Sequence, residues 1–381
     1  MAKKVSRAKQ REALAAAAAA VQVPERCDVV VVGGGAAGLV AAVCAAEAGA
    51  SVVVFERELE CGRKILATGN GRCNFAHENL DAARCNNPQF VRGVCGPADA
   101  WLADVLAFWR GCGMAWVSES GRLYPMSLQA ASVRNLLLAR ARRAGVVLAC
   151  GREAASLGEL PRAAATVVAC GGGAELVGSL GLEARPFSPV LCPVAARPVD
   201  AGFDLAAVDG RRARAHAALL RGGREVFAED GEVLFRSWGL SGIVMFDFSR
   251  RVEAGDVIRL DLTCGMGAEK LAGLVPEGVL DPQVARALGK DALARAAALD
   301  FRVEGLAETN KAQVKRGGLL ASQFDPATLG ACERPGLFAC GEALDVDADC
   351  GGFNLAWAWK SGIVAGSAAA EYALLARKDK N

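Results

Sequence analysis

Apolar positions cluster in three different patterns along the chain, and each pattern predicts a different kind of element. Near the start, Val29 to Val32 and Val52 to Phe55 are unbroken apolar runs separated by an Ala-rich stretch ending at Gly49. That is the signature of two strands buried on both faces and joined by a helix. Trp101 to Trp109 and Ser132 to Arg143 carry apolar residues at helical spacing, and the second leads into a short strand, Val146 to Leu148. Ala163 to Cys170 is again strand-like and runs into Gly171-Gly172-Gly173. From Pro186 the runs become short and alternating: Val190 to Val194, Arg212 to Leu220, Glu232 to Phe235, Gly242 to Asp247 and Val257 to Leu262. Short strands at turn-rich spacing predict an antiparallel, barrel-like insert. Gly265 to Leu299 has helical period, Phe301 to Leu320 is extended, and Gly336 to Asp345 restores the strand-then-glycine pattern before a helix reaching about Leu375.

The expected architecture is therefore α/β. A Rossmann-like, dinucleotide-binding domain is built from both chain ends (26–185 plus 331–375). A β-rich insert (186–264 plus 300–330), a small helical domain (265–299) and an Ala-rich extension (1–25) complete the chain.

The junction between the first strand and helix reads Gly33-x-Gly35-x-x-Gly38, and the second strand ends in Glu56. Gly33 permits the tight turn, Gly35 lets a pyrophosphate reach the backbone, and Gly38 lets helix and strand pack closely. The N–H groups of the helix start, including Ala36 and Ala37, face the phosphates, and Glu56 is placed to accept from the adenosine ribose. Behind it, Arg63 and Lys64 offer charge to a polyanion. In the last block Gly341-Glu342 ends a strand and Gly351-Gly352 opens a helix. Glu342 suits a sugar-like hydroxyl chain, and the helix start suits an electron-rich group. A nicotinamide-only dehydrogenase does not need this returning element, whereas FAD, with a ribityl chain and a pyrimidine edge, does. The expected cofactor is non-covalent FAD, with NAD(P)H a candidate electron donor.

A net charge of +2 gives a nucleic-acid partner no electrostatic support. Fourteen cysteines are spread without a CxxC pair, which predicts reduced, mostly buried thiols rather than a disulfide framework. Two histidines cannot build a histidine-rich metal site, and no metal is expected. Val29 to Ala46 is long and uncharged, but its glycines mark the nucleotide unit rather than a membrane span. Glu12 and the weak hydrophobicity of alanine favour a solvated extension over a secretory signal, so a cytoplasmic protein is expected, with oligomeric state open.

The set GGGAAG, GRKILATGNGRCN, GRLYP, LFRSWGLSG, QVKRGGL and GLFACGEALDVDADCGGFNLAWAWKSGIVAG resembles the BaiN/RdsA family of NAD(P)/FAD-dependent oxidoreductases, over about residues 26 to 375. The resemblance implies that Asn70, Gly71 and Cys73 line the flavin. Gly171 and Gly172 lie at a strand end delivered to the cofactor, and Gly352, Phe353 and Asn354 sit at the isoalloxazine ring. It also implies hydride or electron transfer to a small organic substrate, with reduction of an activated C=C or C=O bond as one direction. Family members carry a threonine where this chain has Lys315-Arg316. Candidate proton donors are Tyr124 and Cys73, with Arg122 or Arg236 to orient an anionic substrate. Tyr124 reads equally as a packed turn residue, Cys73 as a small filler, and Arg236 as a barrel-surface charge. An amine oxidase and a non-catalytic flavin redox sensor stand as alternatives.

Overall fold

The structure, a computed structural model, describes residues 6–171 and 175–378. They divide into two compact units, one taking the chain up to Ser188 and from Lys315 onward, the other Pro189–Val314.

In the first unit, helix α1 (Arg7–Ala19) is capped by Ser6 and exposed along most of its length, with Ala18 buried near its end. A parallel sheet follows, made of β1 (Arg26–Val32), β2 (Val52–Glu56), β3 (Val147–Cys150), β4 (Arg162–Val168) and β5 (Leu337–Ala339) in the order β5–β4–β1–β2–β3. Val29, Val30 and Val31 are fully buried, because β1 is central and covered on both faces. The chain leaves β1 toward β2 on one side, while β4 and β5 lie on the other. The carboxyl end of β1 is thus a topological switch point, where open α/β sheets place their ligands.

Helix α2 (Ala36–Glu47) starts there, and helix α3 (Phe353–Lys378) packs along it. Small residues let the two backbones touch. A Cβ added at Gly362 would lie 2.5 Å from the Ala37 carbonyl oxygen, and one at Gly366 would lie 2.3 Å from that of Ala41. This seam is how the last residues of the chain rejoin the first.

The second unit is a closed barrel of six strands: Val194–Pro198, Arg212–Arg221, Arg224–Arg236, Gly239–Ser241, Val257–Asp261 and Leu299–Leu306. Three expectations need adjustment. Gly242 to Asp247 is not a strand but the start of helix Ile243–Ser249. Gly242, at φ +101°, turns the chain out of the barrel wall, and Val244, Met245 and Phe248 then bury at helical spacing. The helical segment 265–299 has no core of its own, since Val284, Leu288 and Ala296 share one apolar cluster with Phe235 and Phe301 of the barrel. Finally, 315–330 belongs with the first unit rather than the insert. Leu319 bridges Leu344, Gly330 bridges Phe338, and the left-handed Gly318 brings its backbone against Ala343.

Candidate functional site

Three glycines of the first turn do three different things. Gly33 has φ +108°, and a Cβ there would lie 2.4 Å from the Ala169 carbonyl oxygen, so the ends of β1 and β4 can meet only through glycine. A Cβ at Gly38 would lie 1.9 Å from the Gly33 oxygen. A Cβ at Gly35 would meet nothing within 4 Å. Gly35 is the N-cap of α2 and supplies no side-chain cap, so no side chain of the cap satisfies the first backbone donors of the helix. Uncapped N–H groups with the positive end of a helix dipole form an anion site. Beside it, the Glu56 carboxylate accepts from the Gly34 N–H (2.8 Å) and the Glu58 N–H (2.8 Å). A carboxylate has about four acceptor positions, so both oxygens retain capacity for further donors.

The following segment, Arg63–Gly71, divides its two cations. Arg63 turns to Glu58, while Lys64 Nζ lies 3.4 Å from Glu342 Oε2. A Cβ at Gly171 would lie within 4 Å of both of those side-chain atoms. Gly172 is outside the described residues. Glu342 is held in place from α3: the Gly341 N–H donates to Ser361 Oγ (3.0 Å), and the Trp357 indole donates to the Gly341 carbonyl (3.2 Å). Neither Trp357 nor Ser361 was expected from sequence. Their signal is the spacing Trp-x-x-x-Ser, which stacks both on one helix face.

Further along, Gly69, Asn70, Gly71 and Cys73 all have left-handed φ (54°, 54°, 83° and 58°). Glycine adopts this region freely, but Asn70 and Cys73 do not, and two such residues in so short a stretch mark a backbone shaped for something other than stability. The chain then passes Asn74, whose buried Oδ1 has no hydrogen-bond partner. A Cβ at Gly352 would lie 2.5 Å from the Ala76 oxygen and 2.8 Å from Asn74 Oδ1, so this loop closes on the start of α3. Asn74 directly follows the GRC tripeptide and is the residue the motif pointed to without being singled out.

Other expected residues are placed less simply. Asn354 is committed to its own loop, accepting from the Ala348 N–H and donating to the Ala348 and Asp349 carbonyls. Phe353 is buried and stacks on His77 (ring centroids 5.2 Å apart). Tyr124 and Arg122 lie on the strand Arg122–Pro125, whose Leu123 carbonyl accepts from Phe75 N–H, two residues after Cys73. The Tyr124 ring is buried beneath the Arg72 guanidinium (4.4 Å). Burial pushes the Cys73 thiol up to about 12, so it keeps its proton and is no nucleophile. Arg236 is in the barrel unit, paired with Asp209 and stacked on Trp238.

Burial, then Arg122 and Arg84, lowers the pKa of His77 below 6.5. The unfolded chain therefore binds more protons than the fold just below about pH 6.5, and stability falls as pH drops through that value. In His77→Gln, melting temperature is expected to lose part of its slope between about pH 5 and pH 6.5.

The stretch between Glu342 and α3 holds three buried aspartates, each facing an arginine: Asp345–Arg185 (3.2 Å), Asp347–Arg316 (2.7 Å) and Asp349–Arg84 (3.4 Å). Arg316, which stands where the family's threonine was expected, is thus held on Asp347 by two hydrogen bonds (2.7 and 2.9 Å). Asn86 and Asn87 add side-chain bonds to the same loop. Asp347→Ala would remove two hydrogen bonds from a partly buried guanidinium, and a loss of about 3 kcal/mol is expected from urea unfolding.

The open space over Gly35, the uncapped start of α2 and the unpartnered Asn74 Oδ1 fit a long, phosphate-bearing dinucleotide. Comparison with known proteins agrees. The family model described as HI0933-like protein Rossmann domain matches residues 27–368. The chain is 32% identical over 398 residues to the 3-dehydro-bile acid delta(4,6)-reductase of Clostridium scindens, covering 88% of this chain and 97% of that protein. It is 25% identical over 392 residues to the ribosomal RNA dihydrouridine synthase of Escherichia coli K12, covering 88% and 96%. A flavocytochrome c3 fumarate reductase structure aligns with a TM-score of 0.48 at 15% identity, covering 98% and 82%. With its parallel-sheet nucleotide unit and matching motifs along nearly its whole length, the chain belongs to the HI0933-like family of BaiN/RdsA-type FAD-dependent oxidoreductases.

Proposed function

We propose that the protein reduces an activated C=C bond of a small organic substrate, with NAD(P)H as electron source. What carries this reading is the 32% identity, over nearly the full length of both chains, to a reductase whose name specifies the Δ4 and Δ6 positions of a 3-dehydro-bile acid. Bound FAD supplies the hydride chemistry. The chain's own residues hold it: the first turn of α2 at the pyrophosphate, Glu56 at the adenosine ribose, Lys64 and Glu342 along the linker. The start of α3, with Gly352 and the loop through Asn74, sits at the ring. Asn354 and Phe353 act from behind, by shaping that helix start.

Of the two proton donors, Tyr124 is favoured. Its ring lies under the Arg72 guanidinium, which Glu119 holds in place through a hydrogen bond, so the side chain is fixed beside the loop through Cys73 and Asn74. Cys73, pushed up to about 12, would be left as a buried thiolate without a cation. Arg122 would orient an anionic substrate, and Arg236 is assigned no role. Tyr124→Phe is expected to lower kcat about a hundredfold while FAD affinity stays unchanged, as read by steady-state kinetics and flavin titration.

Anaerobic mixing of the FAD-loaded protein with NADH and NADPH, then with conjugated enones, tests the proposal. Rapid loss of oxidised-flavin absorbance with one nucleotide, and its return on adding an enone, is expected. Reduction by neither nucleotide removes the NAD(P)H assignment, and reoxidation only by oxygen removes the C=C assignment. A second reading, reduction of a base in ribosomal RNA, rests on the Escherichia coli relative. The net charge of +2 disfavours it, and nucleoside analysis of RNA treated with the reduced protein decides it.

A further inference from the structure

We propose that Cys61 and Cys150 form a reversible dithiol–disulfide pair beneath the phosphate turn, and that closing it loosens the bound dinucleotide. The second half of this rests on the FAD reading above; the first does not.

The two Sγ atoms lie 3.5 Å apart. A disulfide needs about 2.05 Å, so closure asks for a shift of roughly 1.5 Å, within the reach of one side chain and a loop. Cys150 is the last residue of β3 and faces Glu56 of β2 in register. The sheet continues past it through Gly151 N–H to the Glu58 carbonyl and Arg152 N–H to the Glu56 carbonyl. Cys61 is in the loop behind the first turn. Its neighbour Gly62 donates to the Gly34 carbonyl (2.7 Å), and its own sulfur fills the place a Gly34 side chain would take, 2.4 Å from that Cβ position. Gly34 in turn donates to Glu56. The pair therefore supports both the turn and the ribose carboxylate from below.

The two thiols differ in a way that suits exchange. Cys61 is buried and Cys150 is partly exposed. The two sulfurs share one hydrogen bond, and within the pair the pKa of the more exposed Cys150 is lowered while that of the buried Cys61 is raised. Cys150 is thus the attacking thiolate and Cys61 the resolving thiol. The oxidant is a low-molecular-weight disulfide such as glutathione disulfide. Cys150 thiolate breaks its S–S bond, forms a mixed disulfide and releases one glutathione thiolate, which takes up the proton Cys150 gave to solvent. Cys61 then attacks the Cys150 sulfur, passing its proton to the second glutathione that leaves. Two protein thiols are oxidised and one disulfide is reduced to two thiols. Because β3 is fixed by its ladder to β2, the Cys61 loop yields, and Gly34 loses the atom packed against it.

The full-length FAD-loaded protein, incubated with glutathione disulfide and digested without reductant, should give one Cys61–Cys150 linked peptide. The oxidised protein should release FAD at least fivefold faster by flavin fluorescence, and dithiothreitol should reverse both changes. Cys150→Ser should give no linked peptide and the same release rate with and without oxidant. Oxidation confined to the exposed Cys264 and Cys332, or a linked peptide with unchanged release, overturns the proposal. FAD binding by neither the reduced nor the oxidised protein overturns the dinucleotide reading and the coupling with it, while the peptide map still decides the disulfide.

Discussion

The Gly35→Ala protein is expected to fold normally and to purify without flavin. The backbone at Gly35 (φ −80°) is open to alanine, and the added methyl meets no protein atom within 4 Å. Stability should change by no more than about 1 kcal/mol, because a helix N-cap loses a little on going from glycine to alanine and the unfolded chain loses some freedom in compensation. The methyl instead occupies the approach to the α2 donors. A fall in FAD affinity of about a hundredfold, roughly 2.7 kcal/mol, is expected in a flavin titration. Gly38→Ala provides the contrast. Its methyl would lie 1.9 Å from the Gly33 oxygen, so both flavin and fold should be lost. A Gly35→Ala protein that kept wild-type flavin content would show that the space over α2 is not where the pyrophosphate lies.

The largest loss of stability is expected from Gly366→Leu. A Cβ there already lies 2.3 Å from the Ala41 carbonyl oxygen and 2.6 Å from its Cα, so the whole side chain must force α2 and α3 apart. Ordinary overpacking costs about 1–3 kcal/mol. Here the obstruction is backbone on both sides, and a loss of at least about 4 kcal/mol, or insoluble expression, is expected. Urea unfolding of the soluble fraction measures it. The same seam carries the start of α2 and, through Trp357 and Ser361, the position of Gly341. Any Gly366→Leu protein that remains folded should therefore also hold FAD poorly. Wild-type stability would mean that the helices are not in backbone contact.

The dinucleotide half of the fold was legible because its signals are local. Consecutive valines specify a strand covered on both faces, and glycines at fixed spacing specify where backbones must touch. The close backbone approaches at Gly33 and Gly38 were readable this way, as was the open backbone at Gly35. Where the reading failed, a distant contact decided the outcome. The alternating run from Gly242 became a helix because the barrel interior needed Val244, Met245 and Phe248 on one side. Asn74 was invisible as an individual because an unpartnered buried oxygen exists only once its surroundings are assembled.

By itself the amino-acid sequence determined a strand–glycine–helix unit whose helix starts without a side-chain cap, since that depends on neighbours a few residues apart. It also determined the family, through motifs running from the first strand to the last helix. Only the tertiary structure decided which small residues let α2 and α3 touch, which arginine neutralises each buried aspartate, and that Cys61 would meet Cys150 under Gly34. Those pairings join positions up to several hundred residues apart, and chain spacing carries no information about them until the sheet order and the helix seam bring the partners together.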